Sequence, residues 1–285
     1  MQSYDEIKSK LNIAIEKMPS LPTTVGKIIQ LANDINSSAK DILAVIQLDP
    51  VVAAKVMKLI NSAYYGMPNK VSLRQAVVLL GINTIKNLAL SSAVVTQMGK
   101  NKIAIKSFDQ HKFWEHCLGT AITSREICKM LGTDPSEVDE FFVSGLIHDL
   151  GKVVLALSVP MLYSRAFKYG EENDLGGMAC EREKIGIDHA EVGSMLGRKW
   201  SLSELLVDSI LNHHQPTENS GRLTWVIHTA NYYVSVNGYP NTGEYAPPQL
   251  DPRAYEQLGI GEAEIEAGLS DLAGEIEKAS VFLQS

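Results

Sequence analysis

Phe142-Val143-Ser144-Gly145-Leu146-Ile147-His148-Asp149-Leu150-Gly151-Lys152 sets a histidine and an aspartate side by side within an apolar run. The run reads as helix, so the pair is expected inside the fold. Withdrawing an ionisable pair from water costs on the order of several kcal/mol unless charge or hydrogen bonds compensate. A divalent metal ion is one such compensation, and further histidines downstream are placed to join it.

Working outward, helical periodicity dominates the 285 residues and no alternating strand pattern runs for more than a few positions, so the expected fold class is all-α. A first helix is read from about Tyr4 to Met18, and Pro19-Ser20-Leu21-Pro22 breaks the chain before Thr23 or Thr24 caps the next. Ser38 caps a third helix, and Asp49-Pro50 starts a fourth with proline at a favoured first position. Asn61 to Gly66 ends that helix. Ser72 starts another to Leu80, Gly81 interrupts it, and Ile82 to Met98 continues. Gly99-Lys100-Asn101-Lys102 is the expected joint between an N-terminal helical subdomain, 1–105, and a second helical subdomain, 106–285. Helices are read there near 108–131, 136–157, 159–173, 188–200, 202–214 and 220–237. A loop follows from Asn237-Gly238-Tyr239-Pro240 to Pro252, and a last acidic helix spans Gly261 to Leu283.

An apolar share of 45% fits a globular chain, and a formal net charge of -7 argues against a broad nucleic-acid surface. No run approaches the roughly 18–20 consecutive apolar residues that span a bilayer, and no signal peptide is read, so a cytoplasmic protein is expected. Cys117, Cys128 and Cys180 are widely spaced, odd in number and form no CxxC pair, so they read as buried free thiols.

Of seven histidines, five recur in contexts that matter together: His116 in an aromatic run, His148 beside Asp149, His189 near a helix start, and His213-His214 at a helix end. Each taken alone reads as a satisfied core histidine, and His111 and His228 are left in that class. Taken jointly, imidazoles and a carboxylate drawn from several helices suit one or two divalent transition-metal ions such as Fe, Mn, Zn or Ni.

The second half resembles the HD superfamily of metal-dependent phosphohydrolases, through His116, His148-Asp149 and Lys152. The chain as a whole resembles HDOD-domain proteins, a bacterial signalling module. That likeness rests on Pro19-Ser20-Leu21-Pro22, Ile46-Gln47-Leu48-Asp49-Pro50, Asn61-Ser62-Ala63-Tyr64-Tyr65 and Ala76 to Gly81. It implies a multi-helical fold with the N-terminal subdomain packed on an HD-like bundle. His189, His213 and His214 match the added histidines of the HD-GYP phosphodiesterases, with Asp149 the shared ligand. The final aspartate of the HD pattern aligns with Asn231, whose neutral amide is a weak ligand for a hard ion. Gln215-Pro216-Thr217 stands where a GYP element would follow; Gly238-Tyr239-Pro240 lies beyond the helix carrying Asn231 and reads as coincidence.

Two functions follow from the resemblance. One is a non-catalytic regulatory module that binds signalling proteins or a nucleotide second messenger. The other is a metal-dependent phosphohydrolase in which Lys152 contacts phosphate. Lys152 also reads as a lysine on a helix face with its head in water.

Overall fold

The computed structural model describes residues 4–34, 36–99, 102–246 and 248–284. The first half holds α1 (Tyr4–Lys17), α2 (Thr23–Asn33), α3 (Ala39–Gln47), α4 (Pro50–Ile60) and α5 (Leu73–Gly99), the last broken at Gly81, where φ is 83°. The second half holds α6 (Gln110–Met130), α7 (Pro135–Ile147), α8 (Leu150–Ser158), α9 (Pro160–Asn173), α10 (Gly177–Lys184), α11 (His189–Lys199), α12 (Glu204–Asn212) and α13 (Arg222–Val236). Short helices α14 (Ala254–Leu258), α15 (Glu262–Gly268) and α16 (Leu272–Ala279) close the chain, with a 3₁₀ turn at Ser280–Gln284. No strand occurs among the described residues, as the periodicity requires. The expected joint falls partly outside them, at Lys100 and Asn101.

Local chemistry sets the early boundaries. Asp49 Oδ1 accepts from the backbone N–H groups of Val51 and Val52 at 3.1 Å each, capping α4 ahead of Pro50. The Ser38 N–H donates to Asp41 Oδ2 at 2.8 Å, the return half of a capping box at α3. Neither Thr23 nor Thr24 caps α2; Pro22 stands at that position and supplies no side-chain acceptor. Asn61 pins the turn after α4, accepting from the Val71 N–H at 2.8 Å and donating to the Val71 carbonyl at 3.2 Å.

Three further expectations are corrected. The run 136–157 is not one helix: α7 stops at Ile147 and α8 starts at Leu150, so His148 and Asp149 form the turn between them. A stretch read as no helix, 174–187, contains α10. The last helix is three pieces, because Ser270 and Asp271 interrupt it after Gly268. Two runs, Leu73–Gly99 and Glu137–Ser158, do reach the length and mean hydropathy (1.5 each) of a membrane span, but 61% and 89% of their most apolar 18-residue windows is buried within the protein. Their apolar character is that of core helices.

The two halves share one continuous apolar core running from Ile7 in α1 to Phe282 near the C-terminus. Helix α5 packs on α7, and α1 lies against α8 and α11. The Trp200 indole donates to the Pro19 carbonyl at 3.1 Å, tying α11 to the turn after α1. Tyr64 and Tyr65 meet the second half directly. The Arg125 guanidinium lies 4.8 Å from one ring centre and 5.4 Å from the other, and the Tyr64 ring is 5.6 Å from those of Phe142 and Phe282. The cysteines are buried and free.

Both glycines of the opening stretch are crossing points. A Cβ on Gly145 would meet the Ala121 backbone at 2.6 Å, so α6 and α7 touch there. A Cβ on Gly151 would fall 1.8 Å from the His189 carbonyl oxygen and 2.7 Å from the Gly193 nitrogen, so only glycine lets α8 cross α11 and bring Asp149 to His189. Gly151→Ala should therefore lower stability by about 3 kcal/mol, at the upper end for overpacking against backbone. Urea unfolding checks this; an unchanged midpoint would show that the crossing relaxes freely.

Candidate metal centre

The α7–α8 turn presents Asp149 at the middle of the second half, 2% exposed. His116 arrives from α6, His148 from the turn, His189 from the first residue of α11, and His213 and His214 from the end of α12. His189 Nε2 lies 3.0 Å and His213 Nε2 3.5 Å from Asp149 Oδ1. His148 Nε2 lies 3.3 Å and His116 Nε2 4.0 Å from Oδ2. His214 Nε2 is 2.9 Å from His189 Nε2. Two overlapping ligand groups result, Asp149-His189-His213-His214 and His116-His148-Asp149, with donor atoms within 4.8 Å of one another in each. All six residues drawn from the joint pattern are thus brought together, and Asp149 belongs to both groups.

Ring orientation is set from behind. His116 Nδ1–H donates to the Tyr239 carbonyl at 2.8 Å, His148 Nδ1–H to Gly145 at 2.7 Å, and His213 Nδ1–H to Ile210 at 2.8 Å. With Nδ1 donating, each Nε2 keeps its lone pair and faces Asp149. The Nε2 atoms of His116, His148 and His213 find no hydrogen-bond partner among the described residues despite their burial. Buried polar atoms are seldom left so. This donor set, imidazole nitrogens with one carboxylate, fits a divalent transition metal.

His189 differs from its neighbours. Its Nδ1 faces Glu181 Oε2 at 2.6 Å, and the same oxygen accepts its backbone N–H at 2.7 Å. Burial opposes charge on the ring, but Glu181 and Asp149 outweigh it and raise the pKa to about 10. Burial, with the His148 ring close by, lowers His116 to about 4, and burial lowers His213 to about 4 as well. His214 is held well below the usual range by burial and by His213 and His189. Burial also works against the Asp149 carboxylate, yet Lys152, His148 and His189 keep its pKa well below the ordinary value.

Lys152 is not solvated: it is 1% exposed, with its ammonium 3.5 Å from Asp149 Oδ2 and 2.8 Å from Glu244 Oε1. Asn231 is half-buried on α13 and lines the same cavity as Asp149 and Lys152. His111 is exposed beside Glu115, whereas His228 is a satisfied core residue: Nδ1 donates to the His213 carbonyl at 2.7 Å and Nε2 accepts from the Asp251 N–H at 2.9 Å.

Sequence reasoning missed the residues that close this centre. They are Glu181 on α10, and Tyr239, Asn241 and Glu244 in the loop after α13. The Asn241 amide donates to Asp149 Oδ2. Gly238-Tyr239-Pro240 follows α13 in the chain; its Tyr239 carbonyl supports His116 and Pro240 lines the cavity. A cavity of about 850 Å³ opens onto Asp149, Lys152 and His214, walled by Asn231, Tyr232 and the loop.

The pattern of the HDOD domain matches residues 18–216, which is more than half of the chain and crosses the expected joint between subdomains. The protein belongs to the HDOD family. A solved HDOD domain protein of unknown function from Geobacter sulfurreducens superposes with a TM-score of 0.76 at 24% identity, over 96% of this chain and 98% of that one. A protein from Shewanella amazonensis named as a candidate phosphohydrolase superposes with a TM-score of 0.74, also at 24% identity, over 96% and 98%. These likenesses establish the fold. An uncharacterized protein of Treponema pallidum is 25% identical over 202 residues, 70% of this chain but only 38% of that relative's length.

The protonation pattern is directly measurable. In chelator-treated protein at pH 7, histidine nitrogen NMR shifts should show His189 as an imidazolium and His116 and His213 as neutral rings. The raised pKa of His189 stabilises the fold below its ordinary value, and that contribution disappears as pH rises through about 10. A charged His116 or His213 at pH 7 would contradict the neutral rings whose Nε2 lone pairs face Asp149.

Proposed function

We propose that this is a regulatory signal-transduction module of the HDOD type, working in the cytoplasm, whose histidine–aspartate centre holds one or two divalent transition-metal ions. The observation that carries the reading is the set of buried Nε2 atoms, each turned toward one carboxylate and most of them without a partner. His116, His148, His189, His213, His214 and Asp149 are the proposed ligands, with Asn231 a weak contributor at the His116 end. Glu181 and the carbonyls behind His116, His148 and His213 fix the rings, the support that metal-binding histidines need. The regulatory sense rests on family membership and on Asn231, which replaces a charged ligand with a neutral amide. Protein partners in signalling and a nucleotide messenger are the proposed inputs and outputs.

A second reading, metal-dependent phosphohydrolase, is favoured by one observation: the cavity reaches Asp149, Lys152 and His214. A divalent ion held at the centre would polarise a phosphoryl oxygen and acidify a bound water. Lys152 would then stand at the phosphate as a fixed positive charge.

Metal analysis of reconstituted protein should find a tightly held transition ion, lost in Asp149→Ala and reduced about 10–100-fold in affinity by Glu181→Gln, the range for losing the group behind a ligand. Absence of uptake would overturn the reading. The reconstituted protein should be silent toward cyclic dinucleotides, nucleotides and phosphomonoesters; turnover abolished by Asp149→Ala would establish the second reading instead.

A further inference from the structure

Glu244 is placed where a ligand would be expected. Its Oε1 receives the Lys152 ammonium at 2.8 Å and its Oε2 receives the Gly177 backbone N–H at 2.8 Å. Gly177 is the first residue of α10, so the carboxylate also sits at the positive end of a helix. A Cβ on Gly177 would lie 2.7 Å from Glu244 Oε1, and one on Gly176 3.4 Å from Oε2, so glycine there is what lets an anion reach the backbone. Lys152 is 1% exposed, whereas Glu244 is 20% exposed and belongs to the loop that walls the cavity. A buried lysine, a helix-end N–H and a glycine cradle together make an oxyanion subsite, filled here by Glu244, and it lies one lysine away from Asp149.

The two partners of this subsite differ in freedom. Lys152 is on a core helix, and two carboxylates, Asp149 and Glu244, neutralise it. Glu244 belongs to the loop that walls the cavity, and Lys152 and Gly177 line the same 850 Å³ space, so a Glu244 side chain turned away would leave the Lys152 ammonium and the Gly177 N–H facing it. Two oxygens of a phosphoryl group present the same pair of acceptors as a carboxylate, with more charge.

We infer that Glu244 is a resident competitor: its carboxylate fills an oxyanion subsite formed by Lys152 and the Gly177 N–H, and the phosphoryl group of an incoming ligand takes that subsite by displacing it. This deepens the reading of the cavity as the place where a phosphorylated signal is received, and it rests on that reading. The ligand class is a phosphoryl oxyanion, carried either by inorganic phosphate or by a phosphomonoester. A ligand that must first expel Glu244 binds with an affinity reduced by the fraction of protein in which the subsite is open. The loop from Tyr239 to Glu244 also supports His116 and Asp149, so displacement of Glu244 reaches the candidate metal centre through Asn241.

The test uses the full chain after chelator treatment, so that it stands or falls separately from metal binding. Calorimetric titration with inorganic phosphate and, separately, with adenosine monophosphate should show about ten-fold or more tighter binding to Glu244→Ala than to the unaltered protein. Tighter binding of the monophosphate than of phosphate assigns the rest of the cavity to the nucleoside; equal binding assigns the subsite to the phosphoryl group alone. Both support the inference. The gain should vanish in Glu244→Ala combined with Lys152→Met. Because removing a buried lysine also perturbs the core, Glu244→Ala combined with Gly177→Pro gives an independent arm: proline fits the first helical position but has no N–H to donate. Circular dichroism verifies that each variant is folded. Phosphate binding no tighter in Glu244→Ala than in the unaltered chain, or a gain that survives in the folded Gly177→Pro double variant, would overturn the inference while leaving the metal reading intact.

Discussion

One buried carboxylate organises the second half of this protein. Asp149 is 2% exposed and faces four imidazoles and an ammonium. Left unpaired, such a charge would cost on the order of several kcal/mol. The helices around it are arranged so that this does not happen. Gly151 allows the α8–α11 crossing that brings His189 in, and backbone carbonyls behind three rings turn their Nε2 atoms the right way. His189 carries the compensating proton, held between Glu181 and Asp149. Protein groups alone therefore compensate the Asp149 charge, and the arrangement retains imidazole lone pairs suited to a cation.

The helical class and most helix positions were legible in the sequence, because apolar side chains recur with the helical period and because Asp49-Pro50 and Gly81 punctuate the chain in recognisable ways. The histidines were legible as a set for a different reason: they are rare, and their order along the chain matches a known pattern. The break at His148-Asp149 was not legible. It contains neither glycine nor proline, and the apolar run passes through it without a change of period. Helix α10 was missed because its residues, Gly177 to Lys184, are mostly polar and carry no apolar stripe. With it went Glu181, the partner of His189. Asn241 and Glu244 were missed because loop residues have no periodicity, and their partners lie far away along the chain. Gly176-Gly177 ahead of a polar run was the one local sign that something approaches the backbone there.

The same features explain why membership in the HDOD family does not by itself decide between signalling and hydrolysis. Asn231 brings a neutral amide to the cavity wall, while His189, His213 and His214 all gather at Asp149. Lys152, which lines the cavity, is engaged by the protein's own Glu244. The N-terminal half is joined to the second by a shared core and by Arg125 against Tyr64 and Tyr65, so a change near α7 has a packed route to the surface of α1–α5.

The central claim is that distant imidazoles and Asp149 form one coordination set. X-ray absorption on protein reconstituted with a single transition metal tests it most directly. The account predicts the scattering signature of several imidazole rings together with a carboxylate oxygen in the inner sphere. An inner sphere of oxygen alone, or of a single imidazole, would contradict it.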